Sequence, residues 1–300
     1  MTTFSTDIKP NGILAIEGPD SIKFLQGQTT CNLDDLSETN ALYGAFCNPK
    51  GRIKSTFMLI QINPQKILML LDKSQCGYLQ DELKIYIAFF KADITDVTET
   101  FHIVGLLTQE EGIKESVYSV SSADGNIRVI LPGNTRREII LSEVSSQSTF
   151  DLPHDNESAS LSQWAIQDIQ NGLVWTEEQT REKFLPHDIN LPGLGGVSYE
   201  KGCYTGQEII ARMHYRGNPK YTTAVITSEE TPEQLDATLK VKLADGKTKS
   251  VGHVITKHIT VERKTWILAS VHKDLLDERE ISLSIAEERT ILCQINRTIL

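Results

Sequence analysis

Residues 41–62, ALYGAFCNPKGRIKSTFMLIQI, constrain the fold more than any other stretch. Two β-rich runs flank Asn48-Pro49-Lys50-Gly51, where proline presets φ and glycine accepts angles that other residues resist. The stretch therefore reads as strand, turn, strand. KILMLLD adds another strand. SQCGYLQDELKIYIAFF then switches to helical spacing, with Leu79, Leu83, Tyr86 and Ile87 on one face, before KADITDVTE and FHIVGLL return to strand. Strand pairs alternating with helices predict an α+β fold.

Upstream, Ile13 to Ile16 form a short apolar run. After the turn Gly18-Pro19-Asp20, a short helix holds Ile22, Phe24 and Leu25, with Asp20 or Ser21 as its cap and Gly27 at its end. Residues 143–160 are polar and read as a loop or linker. In LSQWAIQDIQNGLVW, Leu161, Trp164, Ala165 and Ile169 share a helical face that Asn171-Gly172 ends. A Pro- and Gly-rich stretch follows Phe184, and EIIARM reads as a short helix. From Tyr221 onward the chain breaks into short β-rich runs with turn signals such as Asp245-Gly246. These predict a small β-barrel or sandwich and a boundary near Tyr221.

The 300-residue chain is 39% hydrophobic and 23% charged, the composition of a globular protein. Its longest apolar run, near residues 67–71, is strand-sized, and the N-terminus lacks a basic start followed by an apolar stretch. A cytoplasmic protein without a membrane span is expected. A net charge of −10 argues against a broad nucleic-acid footprint, although ARMHYRGNPKY concentrates Arg212, His214, Arg216 and Lys220. The five cysteines, at 31, 47, 76, 203 and 293, form no CxxC pair. Neither a disulfide framework nor a local zinc or iron–sulfur site is expected, so no metal is assigned.

One cysteine has an unusual setting, EKGCYTGQE. Gly202 and Gly206 permit a sharp turn that holds Cys203 at a surface. Lys201 and a helix starting near Gln207 both favour thiolate over thiol. The alternative is a buried cysteine acting as a small hydrophobe.

The run from Lys201 to Glu208, with Ala211-Arg212 and Tyr215-Arg216-Gly217 after it, resembles the signature of the YgfZ family, folate-binding proteins related to the glycine-cleavage T-protein. GPDSIKFLQGQTTCNL, CNPKGRI, LQDELKIYIAFFKADITDVTE and FLPHDINLPGLGGVSYEKGCYTGQE are similar to further family segments. The resemblance implies a T-protein-like folate-binding α+β body, residues 1–220, in two interleaved parts (1–45 with 155–220, and 46–154), and a C-terminal β-barrel, residues 221–300. It implies tetrahydrofolate or a one-carbon derivative as ligand. It also implies a role in assembling or repairing iron–sulfur client proteins, including enzymes that modify tRNA, with Cys203 as the essential thiol and Lys201 tuning it.

Two departures from the transferase matter. Where T-protein has a carboxylate, this chain has Lys54-Ser55-Thr56, whose hydroxyls keep their protons at neutral pH. Where T-protein holds the pterin with a glutamate, Gln170 stands before Asn171-Gly172. Pterin binding is retained in this reading and aminomethyl transfer is not. Trp164 is expected to stack on the pterin and Gln170 to hydrogen-bond it, with Arg212 and Arg216 meeting the glutamate tail. The rivals are a folate-dependent one-carbon transferase and a docking scaffold built on ARMHYRGNPKY.

Overall fold

The structure is a computed structural model that describes residues 2–5, 8–108, 115–144, 157–231, 238–242, 248–260, 263–277, 280–284 and 290–299. Strands β1 (Thr2–Ser5) and β2 (Gly12–Glu17) precede helix α1 (Ser21–Gln26). β3 (Leu42–Cys47), β4 (Ile53–Asn63) and β5 (Lys66–Leu71) lead into helix α2 (Lys73–Ile87), and β6 (Asp93–Asp96) follows. These strands form an antiparallel sheet in the order β3-β4-β5-β2-β6. The β3–β4 turn is locked by the Asn48 side-chain oxygen, which accepts from the backbone N–H of Lys50 (2.9 Å) and Arg52 (3.0 Å).

Both faces of this sheet are buried. Ile13, Ala15, Met58 and Leu68 face a central core, while Leu14, Ile16, Leu59 and Met69 pack with Phe24 of α1 and Leu79 and Leu83 of α2. That is why ILAI and KILMLL are unbroken apolar runs rather than alternating ones. Tyr86, expected on the buried face of α2, is exposed together with Ile85 and Phe89.

A second antiparallel sheet follows, from β7 (Phe101–Thr108), β8 (Val120–Ala123), β9 (Asn126–Ile130) and β10 (Arg136–Glu143), in the order β1-β7-β10-β9-β8. The sequence reading passed over β8 to β10. The available signal was Asp124-Gly125, the two-residue turn between paired Ala123 and Asn126, with φ of 52° and 75°. The loop expected over residues 143–160 is shorter than that. Glu143 ends β10, helix α3 (Glu157–Asn171) already includes residues 157–160, and residues 145–156 lie outside the described residues. The small polar residues of ESAS extend the helix without showing its apolar period.

Helix α4 (Gln207–Arg216) precedes β11 (Tyr221–Ser228), β12 (Thr238–Lys242), β13 (Thr248–Ile259), β14 (Thr265–His272), β15 (Glu280–Ser284) and β16 (Thr290–Ile299). These six close into a barrel in the order β11-β14-β13-β12-β15-β16, with β16 pairing back onto β11. Of the two architectures open for this region, the structure adopts the barrel; the Asp245-Gly246 turn lies outside the described residues. Ala224, Ile226, Val251, Ile267 and Cys293 fill its interior. Val225, Ile255 and Leu268 instead join the central core, which also takes Tyr43, Ile139, Trp164 and Trp175. No helix among the described residues is long and apolar enough to cross a membrane.

Candidate functional site

The Cys203 loop rests on the β3–β4 turn through two glycines. Gly206 caps α4 with φ +87°, and a Cβ there would lie 2.6 Å from the Asn48 carbonyl oxygen and 3.0 Å from the Gly51 Cα. Gly51, at φ +73°, would in turn press a Cβ to 3.1 Å from Ile209. Only glycine satisfies both the left-handed angle and this approach. Gly202, expected to share the work, has open space around it and no left-handed angle.

This frame leaves Cys203 exposed while Cys31, Cys47, Cys76 and Cys293 are buried. Burial pushes those four thiols up, Cys76 to about 11 and Cys293 to about 12. Lys201, expected to tune Cys203, directs its ammonium elsewhere: Nζ donates to the carbonyls of Thr29 and Cys31, at 2.7 Å each, and lies 5.1 Å from the Tyr204 ring centroid. Burial brings its pKa down to about 8. The Ser198 N–H donates to the Thr30 carbonyl (2.8 Å), and the Thr30 hydroxyl donates to the Gly196 carbonyl (2.6 Å). Lys201 therefore ties the loop to the segment after α1, and the thiol stands on a fixed platform.

The Lys54-Ser55-Thr56 window is fully engaged. Lys54 pairs with Glu82 at 2.5 Å. The buried Thr56 hydroxyl donates to the Val174 carbonyl (2.5 Å) and accepts from the Thr176 N–H (2.9 Å).

Trp164 and Gln170 lie on one helix but open onto different cavities. Six residues turn a helix by about 600°, which leaves the two side chains on divergent faces. The residue that shares Trp164's face is Asp168, four positions on. Trp164, Asp168 and Trp175 line a cavity of about 270 Å³ together with Lys9 and Glu177. Asp168 Oδ1 accepts from Arg137 Nη1 at 2.6 Å, and Oδ2 accepts from Trp175 Nε1 at 3.3 Å. Burial raises this carboxyl to about 6, against the pull of the guanidinium. Arg137 is wholly buried and lies 5.2 Å from the Trp164 ring centroid, while Trp164 Nε1 donates to the Lys9 carbonyl at 3.2 Å.

An adjoining cavity of about 480 Å³ shares Glu177, Thr256 and Lys257, and adds Phe184, Ile255, Lys183 and His253. Gln170 borders a third cavity, of about 350 Å³, with Gln167 and the Trp266 indole; its Oε1 accepts from Gln167 Nε2 at 3.1 Å. Arg212 and Arg216 border none of these spaces. They are exposed on α4, beside the stacked rings of Tyr199 and His214 (3.7 Å). Among the described residues no cluster of His, Cys, Asp and Glu could hold a metal ion.

No family model matches the chain. Proteins named tRNA-modifying protein YgfZ are similar to it over most of its length. That of Photobacterium profundum is 31% identical over 231 residues, covering 73% of this chain and 68% of the relative. The chain belongs to the YgfZ family. The relative from Colwellia psychrerythraea is 29% identical over 258 residues, covering 83% of this chain and 79% of its own. Among solved structures, the glycine cleavage system aminomethyltransferase T from Bartonella henselae is similar over 99% of this chain and 85% of its own, with a TM-score of 0.75 at 14% identity. This YgfZ-family chain thus has the T-protein fold, as its resemblance implied, with hydroxyls locked into backbone bonds in the Lys54-Ser55-Thr56 window.

Proposed function

We propose that the chain binds a tetrahydrofolate in the paired cavities. We further propose that it presents the Cys203 thiol in support of iron–sulfur enzymes of the cytoplasm, among them ones that modify tRNA. The observation carrying the folate reading is the buried Asp168 carboxylate beside two indoles, in a cavity that shares Glu177, Thr256 and Lys257 with a larger, lysine-bordered one. An ionised carboxylate has about four acceptor sites, and protein donors occupy two of those on Asp168. The remainder suit the amino and ring N–H edge of a pterin. The T-protein fold and the family name of the relatives support the ligand class and the link to tRNA modification. The division into a 1–220 body of two interleaved parts and a 221–300 barrel belongs to the same reading.

Anaerobic titration with tetrahydrofolate, followed by tryptophan fluorescence, is expected to quench and saturate, and Trp175→Phe to remove part of the signal. A flat titration overturns the proposal. Cys203→Ala is expected to keep folate binding while cells lose the modified nucleosides made by iron–sulfur enzymes, read by mass spectrometry of tRNA. Normal nucleosides in that variant would favour the docking scaffold.

A second placement of the ring is favoured by the Gln170 amide beside Trp266. Loss of binding in Gln170→Ala, with Asp168→Asn unaffected, would select it. Aminomethyl transfer is not part of the proposal, since Thr56 offers a hydroxyl already committed to the backbone. Mixing tetrahydrofolate with an aminomethyl donor should yield no methylene-tetrahydrofolate.

A further inference from the structure

We infer that the outward face of α4 binds unpaired nucleotides of an RNA. Glu208, Ile209, Arg212, Tyr215 and Arg216 are exposed at spacings of three and four, while Ile210 is buried, so one stripe of the helix faces away from the protein. The stripe is cationic in a chain of net charge −10. Arg212 and Arg216, four residues apart, repel each other, and neither has a carboxylate partner among the described residues. Glu208 stands four residues before Arg212 and forms no ion pair with it. Lys50, in the β3–β4 turn on which the helix start packs, and Lys220, just after the helix, are exposed as well. Attraction to the C-terminal end of the helix dipole accounts for Arg216, in the last turn, but for neither Arg212 nor Tyr215.

The tyrosine selects among polyanions. Tyr215 is 66% exposed, yet its ring stands edge-to-face against His214 (4.8 Å) and Tyr199 (6.1 Å), which stack on each other. A ring braced in this way, with arginines beside it, offers a base a surface to stack on while the guanidinium groups meet the flanking phosphates. An acidic peptide would use the arginines and leave the ring without a partner. The ten-residue helix is about 15 Å long, so the contact spans only a few nucleotides, which suits an acidic chain without a broad basic surface. The choice of RNA over DNA rests on the proposed link to tRNA modification; the charge and stacking arguments do not, and neither depends on where folate sits.

The test is fluorescence anisotropy of a labelled eight-nucleotide oligoadenylate over a salt series, with octaglutamate as a competitor. The full chain is expected to bind it, and octaglutamate to compete poorly. Tyr215→Ala should weaken binding about tenfold, the loss of one stacked base, and leave the salt dependence unchanged. Arg212→Gln/Arg216→Gln should reduce the slope of log affinity against log salt by about 1.4, from two phosphates at about 0.7 each. Lys23→Gln/Lys91→Gln, exposed on α1 and after α2, should change neither quantity. All five positions are exposed, and unchanged melting temperatures would show that the variants are folded. Ultraviolet crosslinking in cells should recover RNA on the peptide that holds Tyr215. Absence of binding by the full chain, or Tyr215→Ala without effect, overturns the inference. Octaglutamate competing as well as the oligonucleotide also overturns it and makes the face a dock for an acidic protein segment. Crosslinked DNA overturns the assignment to RNA. Tetrahydrofolate titration is a separate readout, whose failure removes the folate site and leaves this face standing.

Discussion

Asp168 is a structural partner and, in the proposed function, also the acceptor offered to a ligand, and the two roles respond differently to pH. Its folded pKa, about 6, lies above the ordinary 3.8. The fold therefore favours the protonated form; this contribution to stability is present below 3.8 and is lost as pH rises through 6. The proposed folate contact needs the carboxylate, so affinity should fall as pH drops through about 6, and Asp168→Asn should flatten that dependence in a calorimetric pH series. Truncation is harsher than replacement. Asp168→Ala leaves the Arg137 charge buried and unpaired, at about 3–5 kcal/mol, and a further Arg137→Met should recover much of the lost denaturant midpoint.

Cys203 yields a simpler prediction. As the one exposed cysteine, it should be alkylated first at neutral pH in peptide mass spectrometry. Labelling only after denaturation would mean that the loop is not presented as described. Lys201→Met should lower the melting temperature, because it removes both carbonyl contacts of the ammonium. The thiol was legible as special from its glycine frame and its neighbouring cation. The direction of that cation was not, since the carbonyls it meets lie far away in sequence.

At the scale of elements, the two turns that carry glycine explain why one motif needs the other. Gly206→Ala faces both a left-handed angle, about 1–2 kcal/mol, and a backbone oxygen at 2.6 Å. It should destabilise the chain by about 2 kcal/mol or more in urea unfolding, whereas Gly202→Ala should stay within about 0.5 kcal/mol. A comparable loss at both positions would contradict the packing of the loop on the β3–β4 turn. Periodicity revealed α2, α3 and the doubly buried strands, because each keeps its apolar period or run. It missed β8 to β10, where Arg128, Arg136, Arg137 and Glu138 interrupt any simple pattern. Arg137 and Glu138 are charged yet buried, held by Asp168 and by Arg136 and Arg128 respectively. Helical geometry also contained the answer about Trp164 and Gln170: six residues separate them, whereas a shared face requires three or four.

For the whole molecule, the cavities could not be read from sequence because no single segment makes them. Trp164 and Asp168 come from α3, Trp175 and Glu177 from the chain after it, Lys9 from before β2, and Thr256 and Lys257 from β13 of the barrel. Such a site exists only once barrel and body are packed, so a ligand there binds the assembled state alone and should couple the two. Hydrogen exchange can follow this directly. Tetrahydrofolate should slow exchange in residues 164–177 and 253–258 together, and leave β15 and β16, on the far side of the barrel order from β13, little changed. Protection confined to residues 134–135, 167–171 and 266 would instead place the ring beside Gln170. Protection of α3 without β13 would show that the barrel takes no part in binding.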